Sequence, residues 1–167
     1  MGMGMDGLNG LSHFGFASAD LDRTVRFYTE VLGARVQWQT ERQVKLYVGE
    51  IGMAIPKGEP NPRYDLHFAF RADPDLADDV IAHVESCGVP VDGPHGHGTE
   101  PLNVSWFLTD PDGYRIEIEC HYPTVERVIA VLERDFDKRK PELGLYRGGD
   151  ALPAVREHLA KTGATAS

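Results

Sequence analysis

Two stretches of the chain set histidine before an aromatic, a small residue and a second aromatic: His13-Phe14-Gly15-Phe16 and His67-Phe68-Ala69-Phe70. In an extended backbone each imidazole faces one side, with its small neighbour, and the aromatics face the other. A carboxylate completes the set. In Tyr114-Arg115-Ile116-Glu117-Ile118, Glu117 lies between two isoleucines, where a charge is costly unless paired or bound to a cation. Two imidazoles and one carboxylate suit a borderline divalent ion: Fe²⁺, Mn²⁺, Ni²⁺ or Zn²⁺.

The neighbourhoods of the histidines repeat as well, with a period of about fifty residues. After His13 come Ala19-Asp20-Leu21-Asp22 and, at the far end, Gly33; after His67 come Ala72-Asp73-Pro74-Asp75-Leu76 and Gly88. Each His-containing run predicts a strand with one face against a core. Asp20 and Asp73 are expected helix N-caps. Leu21, Val25, Tyr28 and Leu32 form one predicted apolar stripe; Leu76, Val80, Val84 and Cys87 form the other. Gly33 and Gly88 are expected to close the helices. Strands are predicted over 34–39, 44–49 and 51–55 in the first repeat. In the second they are predicted near 89–91, then over 103–109 and 114–120, with Asp110-Pro-Asp-Gly113 as a turn.

The fold class is therefore α+β, two βαβββ modules whose helix-free faces enclose a cleft. Aligning the last hairpins places Ile118 over Ile55 and Glu117 over Ala54. The cleft then has four equivalent corners, His13, Ala54, His67 and Glu117. The methyl group of Ala54 leaves coordination positions for substrate or water. Glu119, nearer its strand end, is read as solvated or as support for the ligands.

Of the other polar residues, His95 and His97, in a Gly-rich loop, are candidate acid–base groups or hydrogen-bond donors. Arg71 and Arg115 have the parity to face the cleft and hold an anionic substrate group. His83, His121 and His158 are read as incidental, and Trp38 and Trp106 as core or cleft-wall aromatics.

The chain of 167 residues fits one domain or two small modules, and its net charge of −9 disfavours nucleic-acid or anionic-membrane partners. No stretch is apolar enough to span a bilayer. The leader over 1–10 lacks a signal peptide's basic and apolar regions. Cys87 and Cys120, expected to be half-buried thiols, make no disulfide framework; a cytoplasmic protein is expected. The modules are expected over about 11–60 and 64–122, and a helical extension with a tail over 123–167. Thr124 is its cap, the stripe is Val125, Val128, Ile129, Leu132 and Phe136, and a second short helix is predicted over 153–161.

Together these stretches resemble the vicinal oxygen chelate superfamily, which includes glyoxalase I, bleomycin-resistance proteins, fosfomycin-resistance thiol transferases and type I extradiol dioxygenases. The resemblance rests on Leu11 to Phe16, Asp20 to Gly33, Leu66 to Phe70 and Trp106 to Ile118. It implies paired βαβββ modules, assembly as a homodimer, one divalent metal ion held by His13, His67 and Glu117, and a small substrate with adjacent oxygens. Phe107 stands where fosfomycin transferases and dioxygenases usually carry tyrosine, and is read with Ala54, Arg71 and Arg115 as pocket lining. Glyoxalase I normally has a fourth ligand where this chain has Ala54. The expected activity is ring-cleaving dioxygenation with Fe²⁺ or Mn²⁺ favoured. Lyase, isomerase or thiol-transferase chemistry is the alternative, and non-catalytic antibiotic binding a third.

Overall fold

The computed structural model describes residues 11–63, 66–96 and 102–135. The backbone divides after Asn61 into two units. Unit 1 runs β1 (His13–Gly15), α1 (Leu21–Val31), β2 (Arg35–Gln39), β3 (Gln43–Val48) and β4 (Ile51–Pro56). Unit 2 repeats that order with β5 (His67–Arg71), α2 (Ala77–Ser86), β6 (Asp92–Gly96), β7 (Asn103–Thr109) and β8 (Arg115–His121), and adds α3 (Val125–Asp135). The sheet orders correspond: β1-β4-β3-β2 and β5-β8-β7-β6, the first strand parallel to the last in each. Both units are thus βαβββ modules, as expected from the repeat.

The local causes are visible. Asp20 caps α1, its Oδ1 accepting from the Arg23 amide at 3.0 Å, and that bond holds its carboxyl below the usual range. Gly33 and Gly88 take φ of +63° and +76°, the left-handed geometry that ends a helix. In the β7–β8 turn, Asp110 Oδ1 accepts from the amides of Asp112 and Tyr114, both at 2.9 Å, and Gly113 turns the chain with φ of +91°.

The sheets are two-faced because their strands alternate. In unit 1, Val44, Leu46, Met53 and Ile55 are fully buried with Tyr28 of α1, while His13 and Gly15 stay exposed. In unit 2, Val104, Trp106, Leu108, Ile116 and Ile118 share the core with Ile81 and Val84 of α2. The helix stripes differ from the predicted ones. In α1 the buried residues are Leu21, Thr24, Tyr28 and Val31; Thr24 is admitted because its hydroxyl bonds Ser18 at 2.6 Å. In α2 they are Ala77, Ile81 and Val84. Asp73 is not the cap of α2: it closes a turn, its Oδ1 accepting from the Asp75 amide, and the helix starts later and is rotated accordingly.

The expected strand near 89–91 is instead β6, which runs through Gly93-Pro94 with a register break between Asp92 and His95. Proline fits there because a bulge asks no ladder bond of it. The thiols are not alike. Cys87 is exposed; Cys120 is fully buried, and burial raises its pKa to about 11.

The amphipathic helix of the extension packs on unit 2 itself. Thr124 caps α3, whose Val128, Val131 and Leu132 are buried. It lies against β6 and is tied toward α2 by Arg127–Asp75 and by Arg134–Asp78, both ion pairs at 2.7–2.8 Å. Asp78 and Asp135 together raise the Arg134 pKa. The helix predicted over 153–161 and Phe136 lie outside the described residues. No helix among those described is long and apolar enough to cross a membrane.

Candidate metal centre

Cross-strand register defines the polar face of unit 2. Ala69 on β5, Glu117 on β8, Phe107 on β7 and Asp92 on β6 form one row. Arg71, Glu119, Ser105 and His95 form the next. His67, Arg115 and Thr109 form the row on the other side.

Glu117 is the centre of this face. It is 5% exposed. Ser105 donates its hydroxyl proton to Oε1, and Oε2 lies 3.0 Å from His67 Nε2. Two ligands bound to one ion at about 2.1 Å and roughly 90° to each other are about 3 Å apart. The pair therefore fits adjacent positions on one ion, and Ser105 gives the carboxylate the second hydrogen bond that ligating carboxylates usually have.

Phe107 stands opposite Glu117 as a wall. Its ring centroid is 6.3 Å from His67 and 5.8 Å from His95, and the Arg115 guanidinium stacks over it at 4.0 Å. His95 Nε2 donates to Asp92 Oδ1 at 3.0 Å. Asp92 is 2% exposed and its Oδ2 has no hydrogen-bond partner. A buried carboxylate holding an imidazole fixes both the tautomer and the orientation of the ring. His95 is thus on a strand, not in a flexible loop.

The remaining sequence-predicted residues divide as follows. Arg71 pairs with Glu119 at 3.7 Å, and Glu119 also accepts from His121 at 2.9 Å, so this carboxylate serves a neighbouring ion-pair group. His13 and Ala54 belong to unit 1 and share its polar face: His13 is opposite Gly52, and Ala54 lies between Gly15 and Lys45. Ser12 Oγ hydrogen-bonds His13 Nδ1 at 2.8 Å, which leaves Nε2 for a ligand. Among the described residues no three His, Cys, Asp or Glu side chains gather about one point; unit 2 taken by itself supplies two donors. His97 lies outside the described residues.

Sequence reasoning missed Ser105 and Asp92. Ser105 had a signal, since it shares the parity of Phe107 on a strand running beside Glu117. Asp92 had a weaker one, three residues before His95 and hidden by the intervening Gly-Pro. Trp106 has the opposite parity and is core, 1% exposed, whereas Trp38 is 42% exposed.

Comparison with known proteins places the fold. Residues 10–118 match the Glyoxalase/Bleomycin resistance protein/Dioxygenase superfamily. A probable chloroplastic lactoylglutathione lyase of Arabidopsis thaliana is 28% identical over 141 residues, 75% of this chain; the match spans only 40% of that protein's length. The fosfomycin resistance protein FosX of Mesorhizobium loti is 28% identical with a TM-score of 0.57, covering 72% of this chain and 98% of that one. FosX of Listeria monocytogenes, solved with Mn(II) and sulfate, is 21% identical with a TM-score of 0.59 over 76% of this chain and 98% of that one, a likeness of fold. By its matched length, its repeated modules and their strand order, the chain belongs to the glyoxalase/bleomycin resistance protein/dioxygenase superfamily, the vicinal oxygen chelate group.

Proposed function

We propose that the chain is a divalent-metal-dependent enzyme in which His13, His67 and Glu117 hold one ion and a small substrate is bound through two adjacent oxygens. The observation carrying this reading is the buried Glu117 carboxylate, anchored by Ser105 and 3.0 Å from His67 Nε2. The donor set, two imidazoles and a carboxylate, suits Mn²⁺, Fe²⁺, Ni²⁺ or Zn²⁺; the Mn(II) in the Listeria relative supports manganese first. When bound, such an ion polarises substrate oxygens as a Lewis acid.

The chain's own groups would do the rest. Phe107 and Arg115 wall the site and limit water beside Glu117. His95, its Nε2–H held by Asp92, is assigned the proton-carrying role, with Nδ1 as the exchanging atom; His97 is the other candidate. The small-molecule substrate and a homodimeric assembly complete the proposal.

Lyase, isomerase or transferase chemistry takes precedence over ring-cleaving dioxygenation, because the relatives include a lactoylglutathione lyase and a fosfomycin resistance protein at 28% identity. The test is direct. Metal-loaded protein is screened with the methylglyoxal–glutathione hemithioacetal, with fosfomycin plus thiol or water, and with catechols. Elemental analysis of wild type and Glu117→Ala accompanies it. Turnover of either of the first two with metal lost in the variant supports the proposal. Ring-opened product restores the dioxygenase, and ligand binding without turnover supports sequestration.

A further inference from the structure

The two modules each set one cation beside their histidine, from opposite strands of the final hairpin. In unit 2 the residue opposite His67 is Arg115, and its guanidinium lies over Phe107 on the next strand. The equivalents in unit 1 are Gly52, opposite His13, and Lys45, opposite Ala54. The large and small partners are exchanged. A Cβ placed on Gly52 would lie 3.0 Å from Lys45 Nζ and 3.1 Å from the His13 Cβ. The ammonium therefore lies over the bare Gly52 backbone, next to the imidazole, in space that any other residue would fill.

Lys45 has a companion. Its Nζ is 5.6 Å from the centroid of the Tyr47 ring, and the Arg35 guanidinium is 5.5 Å from the same ring. Among the described residues neither cation is in an ion pair, although the chain has 26 acidic residues to 17 basic ones. Arg71, Arg127 and Arg134 all have carboxylate partners. The row position where unit 2 carries Glu117 holds Ala54 here, so no carboxylate neutralises Lys45 from that corner. Two like charges sharing one aromatic ring repel, and an anion between them relieves the repulsion.

We infer that Lys45, seconded by Arg35, is an anion-recognition element beside the metal site, and that the substrate carries a carboxylate, phosphonate or phosphate group in addition to its chelating oxygens. This rests on the reading of His13 as a metal ligand. A lysine serves this purpose as a movable point charge with three donors, suited to an oxyanion of either planar or tetrahedral shape.

The experiment titrates Mn²⁺-loaded protein by calorimetry with methylphosphonate and with acetate, and with neutral dimethyl methylphosphonate as control. Lys45→Gln is expected to weaken binding of the preferred anion about tenfold or more, Lys45→Arg to restore most of it, and metal content to stay unchanged in both. The anion that responds more strongly identifies the substrate's charged group. Wild type that binds neither anion, or Lys45→Gln that binds as wild type does, overturns the inference. Retention of full metal by Glu117→Ala, read separately by elemental analysis, would instead overturn the metal reading beneath it.

Discussion

The last hairpins of the two units have the same register yet carry different chemistry. In unit 2 the polar face is dry along β6, β7 and β8, where Ser105, Phe107, Asp92 and Glu117 are all at most 5% exposed, while its β5 residues His67, Ala69 and Arg71 are exposed. In unit 1 the strand corresponding to β6 is wet, with Trp38 at 42% and Arg35 exposed. A carboxylate in the dry setting must be compensated, and His67 and Ser105 do so. A cation in the wet setting needs no fixed partner, so Lys45 can await one. The two units thus share a backbone and a core face, while their polar faces differ: one is built around a buried carboxylate and the other around cations.

That contrast can be broken first through the tryptophans. Trp106→Ala should destabilise unit 2 by about 3–5 kcal/mol, as removal of a fully buried aromatic does. Trp38→Ala should cost less than about 1 kcal/mol. Chemical denaturation measures both, and equal losses would contradict the difference in burial. Glu117→Ala comes next, with metal affinity falling at least about 100-fold by competition with a chelator. The mirror substitution Ala54→Glu should retain metal, because it adds a donor at the equivalent corner. Ser105→Ala should have a milder effect, about 10- to 100-fold in affinity, as loss of a partner to a ligating carboxylate does.

The smallest effect concerns alkaline pH. Both cysteines belong to unit 2, and burial raises Cys120 to about 11 from an ordinary 9.0. The folded chain keeps that proton where the unfolded chain releases it. The contribution is therefore full below pH 9 and falls as pH rises toward 11, with roughly 2 kcal/mol lost by pH 10.5. Denaturation between pH 8 and 10.5 should show the decline, and Cys120→Ala should flatten it.

Much of this architecture was legible because each module announces itself locally. Alternation around His13 and His67, the Asp20 cap, the glycines at 33 and 88 and the Asp110–Gly113 turn act within a few residues of themselves. The misreadings arose where one local signal competed with another. Asp73-Pro74 looks like a helix start, but Asp73 spends its carboxylate on a turn and α2 begins at Ala77. Gly93-Pro94 looks like loop, yet a register break lets β6 run through it. His67 and Glu117 could be matched from the repeat, since one equivalence fixes the next. Lys45 and Ser105 could not, because what distinguishes them is a diagonal neighbour on the next strand: Gly52, which leaves room, in one case and the Glu117 carboxylate in the other.

The register breaks have a consequence for the sheets as surfaces. β2 and β6 are the outermost strands beyond β3 and β7, and each is interrupted once, between Val36 and Trp38 and between Asp92 and His95. An interrupted border strand offers a newcomer no continuous run of amides and carbonyls. Neither of these two borders then presents an unbroken template for a further strand, whereas the opposite borders, β1 and β5, keep a continuous register.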